Sequence, residues 1–241
     1  MQGGIYVSIS GQIALEKRLN TIAHNVANVS TAGFRAEEVK FETILSRVPT
    51  NPVAFSTAGN TYLSRQAGAI VRTDDPFDVA LQGDVWMSID VAGKQVYTRD
   101  GHMMMMPTGD LQTLSGYPVL DVGGAPIVLV PSGAAPEISR DGTITQNGQQ
   151  IGAIGLYRID EAAKLTRAEN SGVIPDRPAA PALDFANVGV LQGYTERGNV
   201  NAVMEITRLI EVHRSFDAIT NSMEAADGTL KTAIRELGPA A

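Results

Sequence analysis

Cysteine is absent from the 241 residues. That excludes disulfides, thiolate metal sites and cysteine nucleophiles. Aromatic side chains are scarce at 5%, so platforms for stacking bases or sugars are few. Basic charge is outweighed: 19 Lys and Arg stand against 26 Asp and Glu, for a net charge of −7. A nucleic-acid partner needs a basic face, which this balance does not supply. No run approaches the ~18 apolar residues of a membrane span, so direct membrane insertion is not expected. The opening "MQGGIYVSISGQIALEKR" does not read as a cleaved secretory signal: its first basic residues follow the apolar ones, and Ser, Gly and Gln interrupt the run. If the chain leaves the cytoplasm, a cleaved leader is not expected to take it there. What is present is 44% apolar, enough to pack a core, with too little charge for disorder throughout.

Apolar spacing divides the chain. Leu15, Leu19, Ile22, Val26 and Val29 recur at steps of 4, 3, 4 and 3, a heptad stripe. Leu209, Val212, Phe216, Ile219, Met223, Ala226, Leu230, Ala233 and Leu237 continue the same alternation without a break. Helices over about 5–31 and 199–237 are predicted, roughly 40 and 58 Å long at about 1.5 Å per residue. Asn199 or Asn201 is suited to cap the second, and Gly238-Pro239 stops it. Between them, runs such as "DVWMSIDV", "QVYTR" and "TITQ" are cut by the turns "VAGK", "RDGH", "PTGD" and "QNGQ". Turns every 8–12 residues mark an all-β region.

The expected organisation is an N-terminal coiled-coil helix and corner over 1–35 and a connector over 36–75. A β-rich domain over 76–170, an extended Pro- and Ala-rich linker over 171–198 and a C-terminal coiled-coil helix over 199–241 follow. The fold class expected is α+β: long N- and C-terminal helices forming an antiparallel coiled coil, with an inserted all-β domain. Val203, Ile206 and Ile210 form a further apolar flank beside the second stripe, more than a lone helix pair can cover. Ser8, Ser10 and Gly11 let helices approach closely; Gly11 costs about 1 kcal/mol of helix propensity against alanine.

Candidate chemistry is thin. Asp74, Asp75, Asp78 and Asp84 are four carboxylates within one stretch, but their spacing fits no calcium loop and Asp-Pro is turn chemistry. His24, His102 and His213 have no ligand spacing. The run "HMMMMP" reads as packing material rather than a thioether site. No serine elbow, P-loop or dinucleotide fingerprint appears. No catalytic residue, metal ligand or cofactor is expected.

The stretch "HNVANVSTAGFR" reads as a helix stop, with Gly33 available for the left-handed conformation and Phe34 folding back on Val29. Asn25 and Asn28 lie one turn apart, placed to bridge to a second chain or to the emerging connector. "SGQIALEKRLNTIAHNVANVSTAGFR" resembles the N-terminal signature of the bacterial flagellar axial proteins, which build rod and hook. The shared corner is Asn25, Asn28, Thr31, Gly33, Phe34 and Arg35, with His24 where asparagine is usual. "DPFDVALQGDVWMSID", "YTRDGHMMMMPTGDLQTLSGYPVL" and "GVLQGYTERGNVNAVMEITRLIEVHRSFDAI" resemble further family segments in the same order. Val85 and Trp86 replace a usual Gly-Phe, and Gly198 stands where serine is usual. Length and the opening look most like the proximal-rod branch, with the distal-rod branch close beside it.

The resemblance implies a structural subunit, not an enzyme. It would polymerise through its terminal helices with copies of itself and other rod proteins, and transmit motor torque. It would sit in the basal body across the periplasm, exported by the flagellar type III apparatus. Its assembly interface would use Leu15, Leu19, Ile22, Asn25, Val26, Asn28, Val29, Thr31, Gly33, Phe34, Val203, Ile206, Leu209, Ile210, Val212, Phe216, Ile219, Met223 and Leu230. Alternatives are a distal-rod or hook-type member, or a non-flagellar coiled-coil binding module sharing the heptads alone.

Overall fold

The apolar spacing of residues 15–26 and the absence of proline carry helix α1, Gln2–Ala27, to the polar run that follows it. Helix α2, Ala202–Leu237, starts where Asn201 closes its first turn. The Asn201 side-chain oxygen accepts from Met204 N–H at 3.2 Å and its carbonyl accepts from Glu205 N–H at 3.0 Å, satisfying amides that no helical carbonyl can reach. The computed structural model describes residues 2–40, 43–45, 54–56, 59–169 and 171–237. The chain divides into two units, one of residues 1–27, 37–62 and 201–241, the other of residues 28–36 and 63–200.

The first unit holds both helices. Gln12 Nε2 donates to Thr220 Oγ1 at 3.1 Å, and a Cβ on Gly11 would lie 3.3 Å from Ile219 Cδ1. Arg18 to Asn25 share a cleft with Glu205 and Arg208, so the helices run in opposite directions. Lys17 Nζ donates to the Gly59 carbonyl at 2.6 Å. Strand Glu37–Lys40 pairs with Asn60–Leu63, and Thr43–Leu45 with Ala54–Ser56.

The expected coiled coil of two long terminal helices is not what the fold contains. Among the described residues there are two helices, of 26 and 36 residues, and nineteen strands. The first helix stops at Ala27 rather than near position 31. A coiled coil buries both seams. Here Ile22 and Val212 are the stripe members that are buried, while Leu15, Leu19, Val26, Leu209, Phe216, Ile219 and Met223 are half-buried and Ala226 is exposed. A regular 3–4 spacing states which face is apolar; it does not state that the same chain covers it.

The second unit is built on a six-stranded sheet in the order Leu165–Ala168, Gly172–Pro175, Lys94–Thr98, Trp86–Val91, Leu156–Arg158, Ala180–Pro181. Its centre is the hairpin Met87↔Thr98 to Val91↔Lys94 around "VAGK". Residues 171–187, read from sequence as extended and linker-like, put Val173 opposite Tyr97 in this sheet and bury it completely. A three-stranded sheet of Glu137–Ile138, Thr143–Gln146 and Gln149–Ala153 turns at Asn147 and Gly148. Both residues have positive φ, as a two-residue hairpin turn requires. Shorter ribbons pair Val79–Gln82 with Gly189–Gln192 and Ile70–Arg72 with Tyr194–Glu196. Their inward side chains, Val79, Leu81, Met87, Ile89, Val96, Leu111, Ile144 and Leu156 among them, form the main core. No helix among the described residues is long and apolar enough to cross a membrane.

Candidate assembly site

The corner after α1 is held by its own chain. Asn25 is 2% exposed. Its Nδ2 donates to the Glu37 carbonyl and its Oδ1 accepts from Glu37 N–H, both at 2.9 Å. One side-chain amide thus does for the start of strand Glu37–Lys40 what a neighbouring peptide would do in a sheet. Asn28 begins the turn that follows. Thr31 N–H donates to its carbonyl at 3.1 Å, and Thr31 Oγ1 donates to its Oδ1 at 3.2 Å.

Gly33 has φ +64° and donates its N–H to the Glu196 carbonyl at 2.8 Å. A Cβ here would lie 2.2 Å from the backbone nitrogen of Asp100, so neither the conformation nor the space admits another residue. Phe34 is fully buried, with the Arg167 guanidinium 4.2 Å from its ring centroid. Gly198 closes the other side: a Cβ there would meet the Thr31 carbonyl oxygen at 3.1 Å and Phe34 Cβ at 3.3 Å. A side chain at this position, where serine is usual, would need its neighbours to give by a few tenths of an ångström.

Arg35, the last residue of the corner motif, enters a buried ionic cluster. It pairs with Glu196 at 2.9 Å, and Glu196 pairs with Arg99 at 2.7 Å. The two guanidiniums lie 5.6 and 5.9 Å from the ring centroid of Trp86, whose electron-rich face offsets the second positive charge. Glu196 also accepts from Gly68 N–H at 2.8 Å. Arg99 donates to the carbonyls of Gly83 at 2.7 Å, Val85 at 2.6 Å and Leu81, and Arg35 donates to that of Gln66. Burial lowers the Arg35 pKa to about 10, with Arg99 adding repulsion and Glu196 opposing it; the guanidinium stays charged at neutral pH.

Asn199, expected as a possible cap, serves the corner instead. Its Oδ1 accepts from Ala36 N–H at 2.6 Å, its Nδ2 donates to the Gln66 carbonyl at 2.8 Å and its N–H donates to the Phe34 carbonyl at 3.1 Å. Sequence reasoning singled out Gly33, Phe34 and Arg35 but not their partners Glu196, Asn199, Arg99 and Arg167. "YTRDG" and "YTERGN" each set two opposite charges side by side; one of each, Arg99 and Glu196, is buried, and buried charges come in pairs, but nothing local says which.

The helices, by contrast, present apolar side chains outward. Val203 is 72% exposed, and Met204, Ile206 and Ile210 are about half exposed. On α1, Tyr6, Ile9 and Ile13 are exposed. The Leu230 side chain lies outside the described residues. Beside Ile22, a polar cleft of about 260 Å³ is lined by Arg18, Asn25, Glu37, Glu38, Glu205 and Arg208. Glu205 is buried in the first turn of α2, where its charge suits the helix dipole, and pairs with Arg208 at 2.6 Å.

The four carboxylates near position 78 are dispersed. Asp74 pairs with Arg72 at 2.6 Å, Asp75 accepts from Phe77 N–H at 2.9 Å, Asp78 meets His102 at 3.0 Å and Asp84 lines a separate cleft. Among the described residues no three His, Asp or Glu side chains are grouped to hold a metal. Met103 belongs to the core.

Comparison with known proteins covers most of this architecture. Residues 5–35 match the family described as flagella basal body rod protein, residues 80–146 the flagellar hook protein FlgE/F/G D1 domain, and residues 191–236 the flagellar basal body rod FlgEFG protein C-terminal region. The flagellar basal-body rod protein FlgF of Rhizobium meliloti is 47% identical over 240 residues, covering 99% of each chain. That of Mesorhizobium japonicum is 46% identical over 238 residues, again 99% of each. The flagellar basal-body rod protein FlgG of Bacillus subtilis is 29% identical over 261 residues, 96% of this chain and 97% of its own.

Proposed function

Since this chain belongs to the flagellar basal-body rod proteins and is a structural subunit of that rod, we propose that it occupies the proximal rod, polymerises through its terminal helices and transmits motor torque. The observation that carries the assembly reading is the apolar flank Val203, Met204, Ile206 and Ile210, left on the surface of α2. Surface of this kind marks a contact surface. The half-buried stripes of Leu15, Leu19, Val26, Leu209, Phe216, Ile219 and Met223 are dry enough to pair the helices and open enough for neighbouring subunits to finish the burial.

Asn25, Asn28, Thr31, Gly33 and Phe34 then act indirectly. They fix the path of the chain where it leaves α1. The subunit's partners are copies of itself and other rod proteins. Its route is the flagellar type III export apparatus, to the basal body across the periplasm. The proximal assignment is supported by 46–47% identity to two FlgF chains over 99% of their length.

The test is replacement of Leu19, Ile210 or Phe216 by Asp in the full chain. Cells are expected to lose swimming and to stall rod assembly, while the β unit of the purified variant keeps its melting transition. Normal swimming with all three variants overturns the packing role.

A further inference from the structure

Asn147-Gly148 is the one Asn-Gly pair in the chain. It forms the tip of the hairpin whose strands, Thr143–Gln146 and Gln149–Ala153, close at Gln146↔Gln149. Asn147 has φ +53° and Gly148 φ +77°, the signs of the mirror-image turn that two-residue hairpins favour. Asn147 is exposed, and a Cβ on Gly148 would meet nothing within 4 Å, so water reaches the tip. The turn is nevertheless pinned. Asn147 Oδ1 accepts from Ala134 N–H at 3.1 Å. Gln146, 3% exposed, accepts from Val130 N–H at 2.8 Å and donates to the carbonyls of Val130 at 3.0 Å and Ala134 at 2.8 Å.

An asparagine followed by glycine is open to attack by the glycine's own nitrogen, because no Cβ shields that nitrogen. The Gly148 nitrogen gives its proton to solvent base and bonds to Asn147 Cγ. The Cγ–Nδ2 bond breaks, ammonia leaves with a proton from water, and a five-membered imide remains. Water opens that ring at either carbonyl, to aspartate or to isoaspartate, in which the main chain runs through Cβ. Nothing is oxidised or reduced. Ring closure needs the Gly148 nitrogen and Cβ on the same side of the Cα–C bond. In a turn of this type ψ of the first central residue is about +30°, which sets the two roughly 150° apart.

We infer that Asn147 is a deamidation site that the hairpin closes: the folded chain is protected there, and a chain that lingers unfolded is marked there. The mark has a consequence for folding. Isoaspartate adds one atom to the main chain of a two-residue turn, and the turn sets the register of the strands it joins. The Gln146↔Gln149 pairing is then lost, and with it the native three-stranded sheet.

The purified full chain is incubated in mildly alkaline buffer, folded or in guanidinium chloride, and digested with trypsin. The peptide 141–158 contains Asn147 as its one asparagine, so its mass and its labelling by an isoaspartate-specific methyltransferase report the site. Modification is expected in guanidinium, and about tenfold slower or more in the folded chain, where it waits on local opening of the turn. Asn147→Gln is expected to remove the signal in guanidinium. Equal or faster modification of the folded chain, or none of the unfolded one, overturns the inference. Returned to buffer, chains carrying isoaspartate are expected to lack the native melting transition of the β unit. Melting like the unmodified chain overturns the consequence for folding.

Discussion

Replacing Glu196 by Gln removes one charge and leaves the shape of the corner almost unchanged. In the native chain the carboxylate holds Arg35 at 2.9 Å and Arg99 at 2.7 Å, with all three side chains nearly inaccessible. The amide keeps one acceptor for Gly68 N–H and Arg35 but turns an N–H toward Arg99 Nε. Two buried guanidiniums then lose the carboxylate they share, and are eased by the face of Trp86, their backbone carbonyl acceptors and, for Arg35, the charge of Asp84. Breaking one partner of a buried ionic cluster costs about 3–5 kcal/mol, a large part of the ~5–15 kcal/mol that holds a typical domain folded. For a unit of this size the loss corresponds to a fall in Tm of roughly 6–20 °C. Calorimetry gives the transition directly. Fluorescence of Trp86, the single tryptophan of the chain, reports the same event locally, because its ring lies beneath both charges. A fall in Tm of less than about 2 °C would refute the reasoning: the cluster would then be held by its backbone carbonyl acceptors and the carboxylate would be dispensable.

Gly33→Ala is expected to yield no folded β unit by calorimetry, because the new methyl group collides with backbone at Asp100 and nothing flexible is there to move. Asn201→Ala should cost about 1 kcal/mol through loss of the cap, read as reduced far-UV helicity on heating with the β transition unmoved. Asp100 gives a pH signature. Burial, with Asp78 adding, raises its carboxyl above the usual range, against a hydrogen bond from His102 N–H. The folded chain therefore holds that proton more tightly than the unfolded one. The resulting stability is complete below the usual carboxylate range and is lost as pH rises through the raised value. Asp100→Asn keeps the acceptor for His102 N–H and lacks the titration, so its Tm relative to the native chain should climb as pH rises from about 3 to 7. A constant difference would contradict this.

Much of the β unit is legible in the sequence because its signals are local. "VAGK" between two alternating runs forms the central hairpin, and "QNGQ" gives a two-residue turn with both central residues at positive φ. The corner is legible for the same reason at Gly33 and Phe34. What is not legible is long-range. Arg35 finds a carboxylate 161 positions away in the chain, and nothing in its neighbours distinguishes a buried arginine from a solvated one. Val173 sits in a Pro- and Ala-rich stretch and reads as part of a linker, yet Tyr97 supplies the strand it pairs with. The helices fail differently. Their stripes are real, but Leu19 or Phe216 carries no mark saying whether its cover comes from the same molecule or another.

The position of Glu196 near the end of the chain sets an order of events. A polypeptide delivered amino end first, from a ribosome or through a narrow conduit, presents Arg35 and Arg99 long before the residue that neutralises them. Until the last fifth has arrived, the two cations repel and the bend beside them stays unlocked. The molecule thus carries a built-in delay, and its rigid form becomes available only when nearly all of it is through.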